Sequence, residues 1–314
     1  MSFVTADAQV RGWVEEATDT TAVIPTNYGA FDAFLKRGGL RRGHLAGLLG
    51  RSNVGKTALA CNIVSRMVLE GVPVLFSSQE MTAAEVTNRL LACAYGLPVN
   101  YIEDKMREGN FDTRWLDKYR HDFARLVLYT KSQPTHDNLS TAMADYEGAV
   151  GVRPAVVVQD HLQLMSQQGL YGNEGVKVSR TAQLFKELAR DEGVVVLNVN
   201  QTGRANESDA TRRNHGHIPL SMEDMMWGGE QHYDVIFGVY RPELNPDLYD
   251  PAASNDKVME NHNFLIEWGD KAVLQVVKNR HYKKNPAGVP VNINWDVMQW
   301  FEVNNDRRSS MQAA

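Results

Sequence analysis

Cysteine is nearly missing from this chain: Cys61 and Cys93 are its only two in 314 residues. Neither belongs to a CxxC pair, which excludes a disulfide framework and a cysteine-rich zinc site; two small buried thiols in a reducing compartment are expected instead. Long apolar runs are missing too. The longest are strand-sized, such as Ala155–Val158, against the roughly 20 residues a membrane helix needs, so no membrane partner is expected. The first ten residues, MSFVTADAQV, hold no basic stretch followed by an apolar one, so no secretory signal is read there and a cytoplasmic location is expected. An excess of positive charge is also lacking: 33 Lys and Arg stand against 38 Asp and Glu, for a net charge of −5. This excludes a protein that coats nucleic acid with its outer surface, but not one that grips a strand in a channel lined by a few cations. There is no internal repeat and no low-complexity segment.

What is there is a globular composition, 43% hydrophobic and 23% charged, that can bury a sizeable core. Val10, Trp13, Val14 and Ala17 recur at helical spacing and mark a short amphipathic helix in an arm over 1–23. From His44 onward strand-like and helix-like stretches alternate. Strands are predicted at Leu45–Leu49, Val74–Ser77, Leu126–Tyr129, Ala155–Gln159, Val194–Val199, Val235–Tyr240 and Ala272–Val277. Helices are predicted from the Gly50–Thr57 loop to about Glu70, from Thr82 to about Phe123, at Asp137–Glu147 and at Val176–Asp191. This order implies an α/β fold, a mostly parallel central sheet covered by helices on both faces. Gly288–Val303 reads as a C-terminal β-hairpin, and 304–314 as a frayed tail. One main domain, 24–303, fits this order.

The most specific segment is Gly50-Arg51-Ser52-Asn53-Val54-Gly55-Lys56-Thr57, a full match to G-x-x-x-x-G-K-[ST]. The glycines let the backbone curl so that successive N–H groups face phosphate oxygens, Lys56 reaches the β- and γ-phosphates, and Thr57 offers a hydroxyl to Mg²⁺. A helix starting here also turns its positive dipole end toward the anion. The expected cradle for a nucleoside triphosphate, taken as ATP, is therefore Gly50, Ser52, Asn53, Val54, Gly55, Lys56, Thr57 and Ala58. Asp160 ends an apolar strand and is expected in the Mg²⁺ water shell with Thr57. Glu80 ends another and is the candidate base for the attacking water, and Gln201, after a third, is a candidate sensor of the γ-phosphate.

Together these pieces resemble the C-terminal RecA-like ATPase domain of DnaB-type replicative helicases, from about Ile24 to Val303. Glu80-Met81-Thr82 with Arg89-Leu90-Leu91-Ala92 is similar to the family's "LEMS…RLLA", in which the Glu is the hydrolytic carboxylate. Asp160-His161-Leu162-Gln163-Leu164-Met165 is close to "DYLQLM", and Asn200-Gln201-Thr202-Gly203-Arg204 matches "SQLNR" in Gln201. Lys278-Asn279-Arg280 fits "KxR", whose Lys and Arg reach the nucleotide of a neighbouring subunit. The resemblance therefore implies a homo-oligomer, a hexameric ring that translocates on single-stranded DNA, with a primase or a helicase loader as possible partners. It further implies that the arm over 1–23 packs on the adjacent protomer.

The chain also departs from the pattern. Only about 23 residues come before the core, too few for the helical collar of the full-length family, which is a feature of short phage and plasmid ring helicases. The family's "DLRESG" DNA loop becomes Glu223-Asp224-Met225-Met226-Trp227-Gly228-Gly229, without arginine, while Glu230-Gln231 and Asp234 keep the "EQ…D" that follows. Arg204, Arg212 and Arg213 just upstream are the alternative DNA contacts; His215 and His217 beside them lack the third ligand a metal site needs. Glu243–Lys271 is longer than the family pattern and carries the apolar run Phe264–Trp268. Two other readings stay open: a RecA-like recombination ATPase that binds DNA without unwinding it, and a regulatory ATPase acting on protein partners.

Overall fold

A computed structural model of the chain describes residues 5–131, 134–162, 165, 172–202, 218–225, 229–245, 248 and 254–302. Its centre is a nine-stranded sheet. After a short antiparallel pair, β1 (Val23–Ile24) and β2 (Leu40–Arg41), come β3 (Leu45–Gly50), β4 (Val74–Ser78), β5 (Leu126–Tyr129), β6 (Val156–Asp160), β7 (Val195–Gln201), β8 (Val235–Tyr240), β9 (Lys271–Asn279), β10 (Asn285–Asn294) and β11 (Gln299–Glu302). The spatial order is β11-β10-β9-β8-β3-β7-β6-β4-β5. From β8 to β5 every pairing is parallel; β9, β10 and β11 add antiparallel strands at one side. The predicted strands are all present, and the C-terminal hairpin is the β10–β11 pair.

Among the described residues the α-helices are α1 (Ala6–Thr18), α2 (Gly29–Asp32), α3 (Lys56–Leu69), α4 (Ala83–Tyr95), α5 (Val99–Arg107), α6 (Thr113–Asp122), α7 (His136–Val150), α8 (Glu174–Glu192) and α9 (Asn255–Trp268). They cover both faces, so the inner strands are buried on both sides and read in the sequence as unbroken apolar runs. Alternate residues go to opposite faces. Val156 and Val158 of β6 join Leu48, Leu59, Ile63 and Phe76 in one core, while Val157 joins Leu49, Leu75 and Phe185 in the other. Helix α3 is apolar nearly all round because it is enclosed all round, with Ala58–Ser65 buried without a break. Both cysteines are buried and unpaired, and burial pushes the Cys61 thiol up to about 12, which keeps it inert.

Three features differ from the sequence expectation. The helical stretch from Thr82 to Phe123 is three helices. Gly96 takes the left-handed conformation (φ 66°) that ends α4, Pro98 starts α5, and Asp112 starts α6 by accepting from the Arg114 N–H at 3.0 Å. Strand β4 stops at Ser78, whose hydroxyl accepts from the Met81 N–H at 3.2 Å, so Glu80 lies on a bend rather than at the strand's end. Gln201, by contrast, is the last residue of β7 instead of following it. The long Glu243–Lys271 segment holds α9, with Phe264 and Trp268 stacked near its C-terminus and Ile266 72% exposed.

In the arm, α1 starts at Thr5, which accepts from the Ala8 N–H, and Val10 and Val14 are exposed; the side chains of Trp13 and Ala17 lie outside the described set. Residues 304–314, the expected tail, also lie outside it. Among the described residues no helix is long and apolar enough to cross a membrane.

Candidate nucleotide site

The parallel register gathers the candidate residues at the carboxyl edge of the sheet, where ligands of open α/β sheets bind. Gly50 pairs with Gln201, Asp160 pairs with Val199 and Ser78, and Glu80 follows two residues after Ser78. A cleft of about 810 Å³ opens there. Ser52, Asn53, Gly55, Lys56, Thr57 and Ala58 form its floor, with Glu80 and Gln201 on its walls.

Between β3 and α3 the loop curls through two left-handed steps, Asn53 at φ 65° and Gly55 at φ 94°. At Gly55 a side chain is excluded twice, by that φ and by Trp300, whose ring carbon would lie 2.8 Å from an added Cβ. The Val54 side chain is fully buried in the core, so only its backbone can serve a ligand. Lys56 is 5% exposed, and its ammonium donates to the Arg51 carbonyl at 2.7 Å. Burial pulls its pKa down to about 8, against Asp160 and Glu80, which raise it. A cation held by a loop carbonyl in a poorly hydrated site is ready to exchange that contact for a phosphate oxygen.

The Thr57 hydroxyl donates to Asp160 Oδ1 at 3.3 Å. Asp160 is fully buried; burial pushes its carboxyl above the ordinary carboxylate range, and its Oδ2 has no hydrogen-bond partner among the described residues. A divalent cation beside Thr57 would satisfy that oxygen and favour the charged form, so the residues fit the Mg²⁺ site expected of them. Glu80, 56% exposed, points one carboxylate oxygen at His161 Nε2, 2.7 Å away.

Several lining residues had no role in the sequence reading. Met81 reaches the cleft from the bend before α4, Arg89 from the middle of α4, and His161 from the residue after β6. The opposite wall comes from the far end of the chain: Trp295 and Met298 on the turn of the hairpin, and Arg241, whose guanidinium lies 4.5 Å over the Trp295 ring. Asn62 of α3 holds that hairpin, donating to the Met298 carbonyl at 2.6 Å and accepting from the Trp300 N–H at 3.2 Å. Two tryptophans close together in a polar hairpin were the available signal.

Lys278 and Arg280 lie elsewhere. Strand β9 runs antiparallel to β8, so Asn279 pairs with Val235 and Arg280 emerges at the amino edge of the sheet. Strand β3, six residues long, separates that edge from the loop by roughly 17 Å. There the Arg280 guanidinium donates to the Gln231 carbonyl at 2.6 Å and lies 3.4 Å from Asp234, and Lys278 donates to the Glu230 carbonyl. Neither lines the chain's own cleft. The candidate DNA contacts Arg204, Arg212 and Arg213, like His215, His217 and Met226–Gly228, lie outside the described residues.

The model of the DnaB-like helicase C-terminal domain family matches residues 23–293. The chain belongs to this family. Among curated relatives it is 27% identical over 287 residues to the replicative DNA helicase DnaB of Rickettsia bellii, covering 85% of this chain and 55% of that one. To the DnaB of Buchnera aphidicola subsp. Baizongia pistaciae it is 26% identical over 243 residues, covering 72% and 49%. The chain thus spans about half the length of the curated relatives it matches. The fold recurs, at 19% identity, in a solved ATPase domain (TM-score 0.74, covering 96% of this chain and all of that one). It recurs also in a DnaB-like replicative helicase solved with attention to its primase interactions (TM-score 0.69, 96% and 67%, again 19% identical). The matched residues therefore run from β1 to Ile293 in β10 and include Gly50–Ala58, Glu80, Asp160 and Gln201 of the cleft edge.

Proposed function

We propose that the chain is the ATP-hydrolysing motor of a ring-shaped DNA helicase that moves on single-stranded DNA. The observation that carries this reading is the division of the candidate residues between two edges of one sheet: a phosphate cleft at the carboxyl edge, and an arginine and a lysine at the amino edge that cannot reach it. In a closed ring of copies, Lys278 and Arg280 of one copy face the cleft of the next. The ring is a hexamer by family resemblance, with 24–303 as its motor domain. The exposed Val10 and Val14 of α1 support an arm that docks on the adjacent copy.

In the cleft, the loop from Gly50 to Ala58 holds the phosphates and Lys56 neutralises the β- and γ-oxygens. Thr57 and Asp160 hold Mg²⁺, which supplies charge neutralisation for the phosphates. Glu80 accepts a proton from the attacking water while the water oxygen bonds to the γ-phosphorus. The bond to the β–γ bridging oxygen breaks, leaving ADP and phosphate; Gln201 contacts the γ-phosphate. Arg280 of the neighbouring copy stabilises the charge on the transferred group. A primase or a loader, in the cytoplasm of a bacterium or an infected cell, fits this role as a partner.

The test is hydrolysis by the purified chain with and without single-stranded DNA, followed by displacement on a forked duplex. Stimulation by DNA and an opened fork are expected, with six-fold particles when an ATP analogue and Mg²⁺ are present. Hydrolysis indifferent to DNA with an unopened fork would reject the helicase reading and leave an ATPase of the regulatory kind.

A further inference from the structure

We propose that His161 is a positioning residue for hydrolysis: its ring N–H holds the Glu80 carboxylate so that the second carboxylate oxygen faces the attacking water. The inference rests on the reading of Glu80 as the base. A base must come within about 2.6–3.2 Å of the proton it takes, and a small misplacement costs heavily in rate. Glu80 is poorly suited to that on its own. It lies on the bend after β4, is 56% exposed, and carries a side chain with several freely rotating bonds.

His161 supplies the restraint. The register that pairs Ser78 with Asp160 brings the following residues of β4 and β6 together, and the Gln79 N–H donates to the Asp160 carbonyl at 3.2 Å. Glu80 and His161 therefore come from neighbouring strand ends. The His161 side chain is 7% exposed, so its ring is fixed by packing while its edge still lines the cleft. Nε2 faces two carboxylate oxygens, Glu80 Oε2 at 2.7 Å and Asp160 Oδ1 at 3.6 Å. Both are acceptors, so this nitrogen carries the hydrogen. Nδ1 is buried with no hydrogen-bond partner among the described residues, which leaves the Glu80 contact as the ring's strong interaction. Where the family segment quoted above has tyrosine, this chain has an imidazole whose Nε2 lies 2.7 Å from the Glu80 carboxylate.

The experiment compares His161→Phe, His161→Gln, His161→Asn and Glu80→Gln by steady-state hydrolysis with saturating single-stranded DNA, and by equilibrium binding of a fluorescent ATP analogue. His161→Phe removes the donor and should lower kcat about ten- to a hundredfold, with analogue affinity within about twofold of wild type. The Gln amide can place its nitrogen near the position of Nε2, so His161→Gln should recover most of the loss; the shorter Asn should not. Wild-type kcat in His161→Phe beside an inactive Glu80→Gln would overturn the role of His161 and leave Glu80 in place. An active Glu80→Gln would overturn the reading beneath it. If the Phe variant does not fold, the Gln and Asn variants decide: equal kcat in the two overturns the proposal, and a higher kcat for Gln supports it.

Discussion

At the carboxyl edge of the sheet, Lys56 rests on a loop carbonyl, Asp160 keeps one buried oxygen without a partner among the described residues, and Glu80 touches the His161 imidazole. At the amino edge Asp234, equally buried, is surrounded by donors. It accepts from Lys186 at 2.7 Å and the Leu45 N–H at 2.8 Å, and Arg280 and His281 each approach to 3.4 Å. His281 stacks in turn on His44, with ring centroids 4.9 Å apart. Buried polar groups without partners are costly and persist where a ligand can satisfy them, whereas saturated networks fix geometry. One edge is thus built to receive charge and the other to present it. On the proposed reading, since both edges belong to one sheet, a single copy would hold two halves of different sites.

Removing the receiving cation tests that division most severely. Lys56→Ala should abolish turnover while leaving the fold intact, because the side chain's hydrogen bond goes to a loop carbonyl and holds no element of the core; normal hydrolysis in this variant would dismiss the cleft as the site. Next in size is the presenting side. Arg280→Ala should lower kcat by about 10³- to 10⁵-fold, the range for an arginine acting in trans, with nucleotide affinity nearly kept. Mixing Arg280→Ala with Lys56→Ala protein should restore part of the rate, since some interfaces then pair an intact cleft with an intact arginine. If no mixing ratio gives rescue, the two halves do not meet.

The receiving edge was readable in the sequence because its chemistry demands particular residues at fixed local spacing. Gly50 to Thr57 is contiguous, and Asp160 and Gln201 each close a strand whose burial on both faces shows as an apolar run. The presenting edge was readable only by resemblance, since nothing in Lys278-Asn279-Arg280 itself tells a strand-end surface charge from a trans ligand. Contacts made by register or by distant packing were not readable at all. His161 beside Glu80, Asn62 holding the hairpin, and Trp295 under Arg241 join residues 81, 236 and 54 positions apart or more. The breaks at Gly96–Pro98 and before Asp112 were legible as turn chemistry and were overridden by the helical spacing on either side.

The mildest perturbation asks whether the presenting edge needs its anchor. Burial alone would raise the Asp234 carboxyl; the hydrogen bonds from Lys186 and the Leu45 N–H, with the charges of Lys186 and His44, outweigh it and hold it below the ordinary value. A folded-state pKa below the unfolded value of about 3.9 means that the carboxylate favours the fold at every pH above about 4 and loses that effect as the pH falls through the folded value. Asp234→Asn keeps an acceptor for Leu45 but leaves Lys186 and Arg280 without their counter-charge. At neutral pH it should cost about 1–3 kcal/mol by denaturant unfolding, a modest figure because Lys186 is partly exposed and can turn to water. The two stability curves should then converge below about pH 4. A decline below about pH 6.5 is expected in both proteins, because burial holds the neighbouring His44 down at about 4 and its protonation opposes the fold. Hydrolysis should fall only about tenfold, since Arg280 retains the Gln231 carbonyl and the backbone bond to residue 234. Curves that stay parallel into acid would mean that Asp234 fills space at this edge without holding charge there, and Arg280 would then owe its place to the backbone alone.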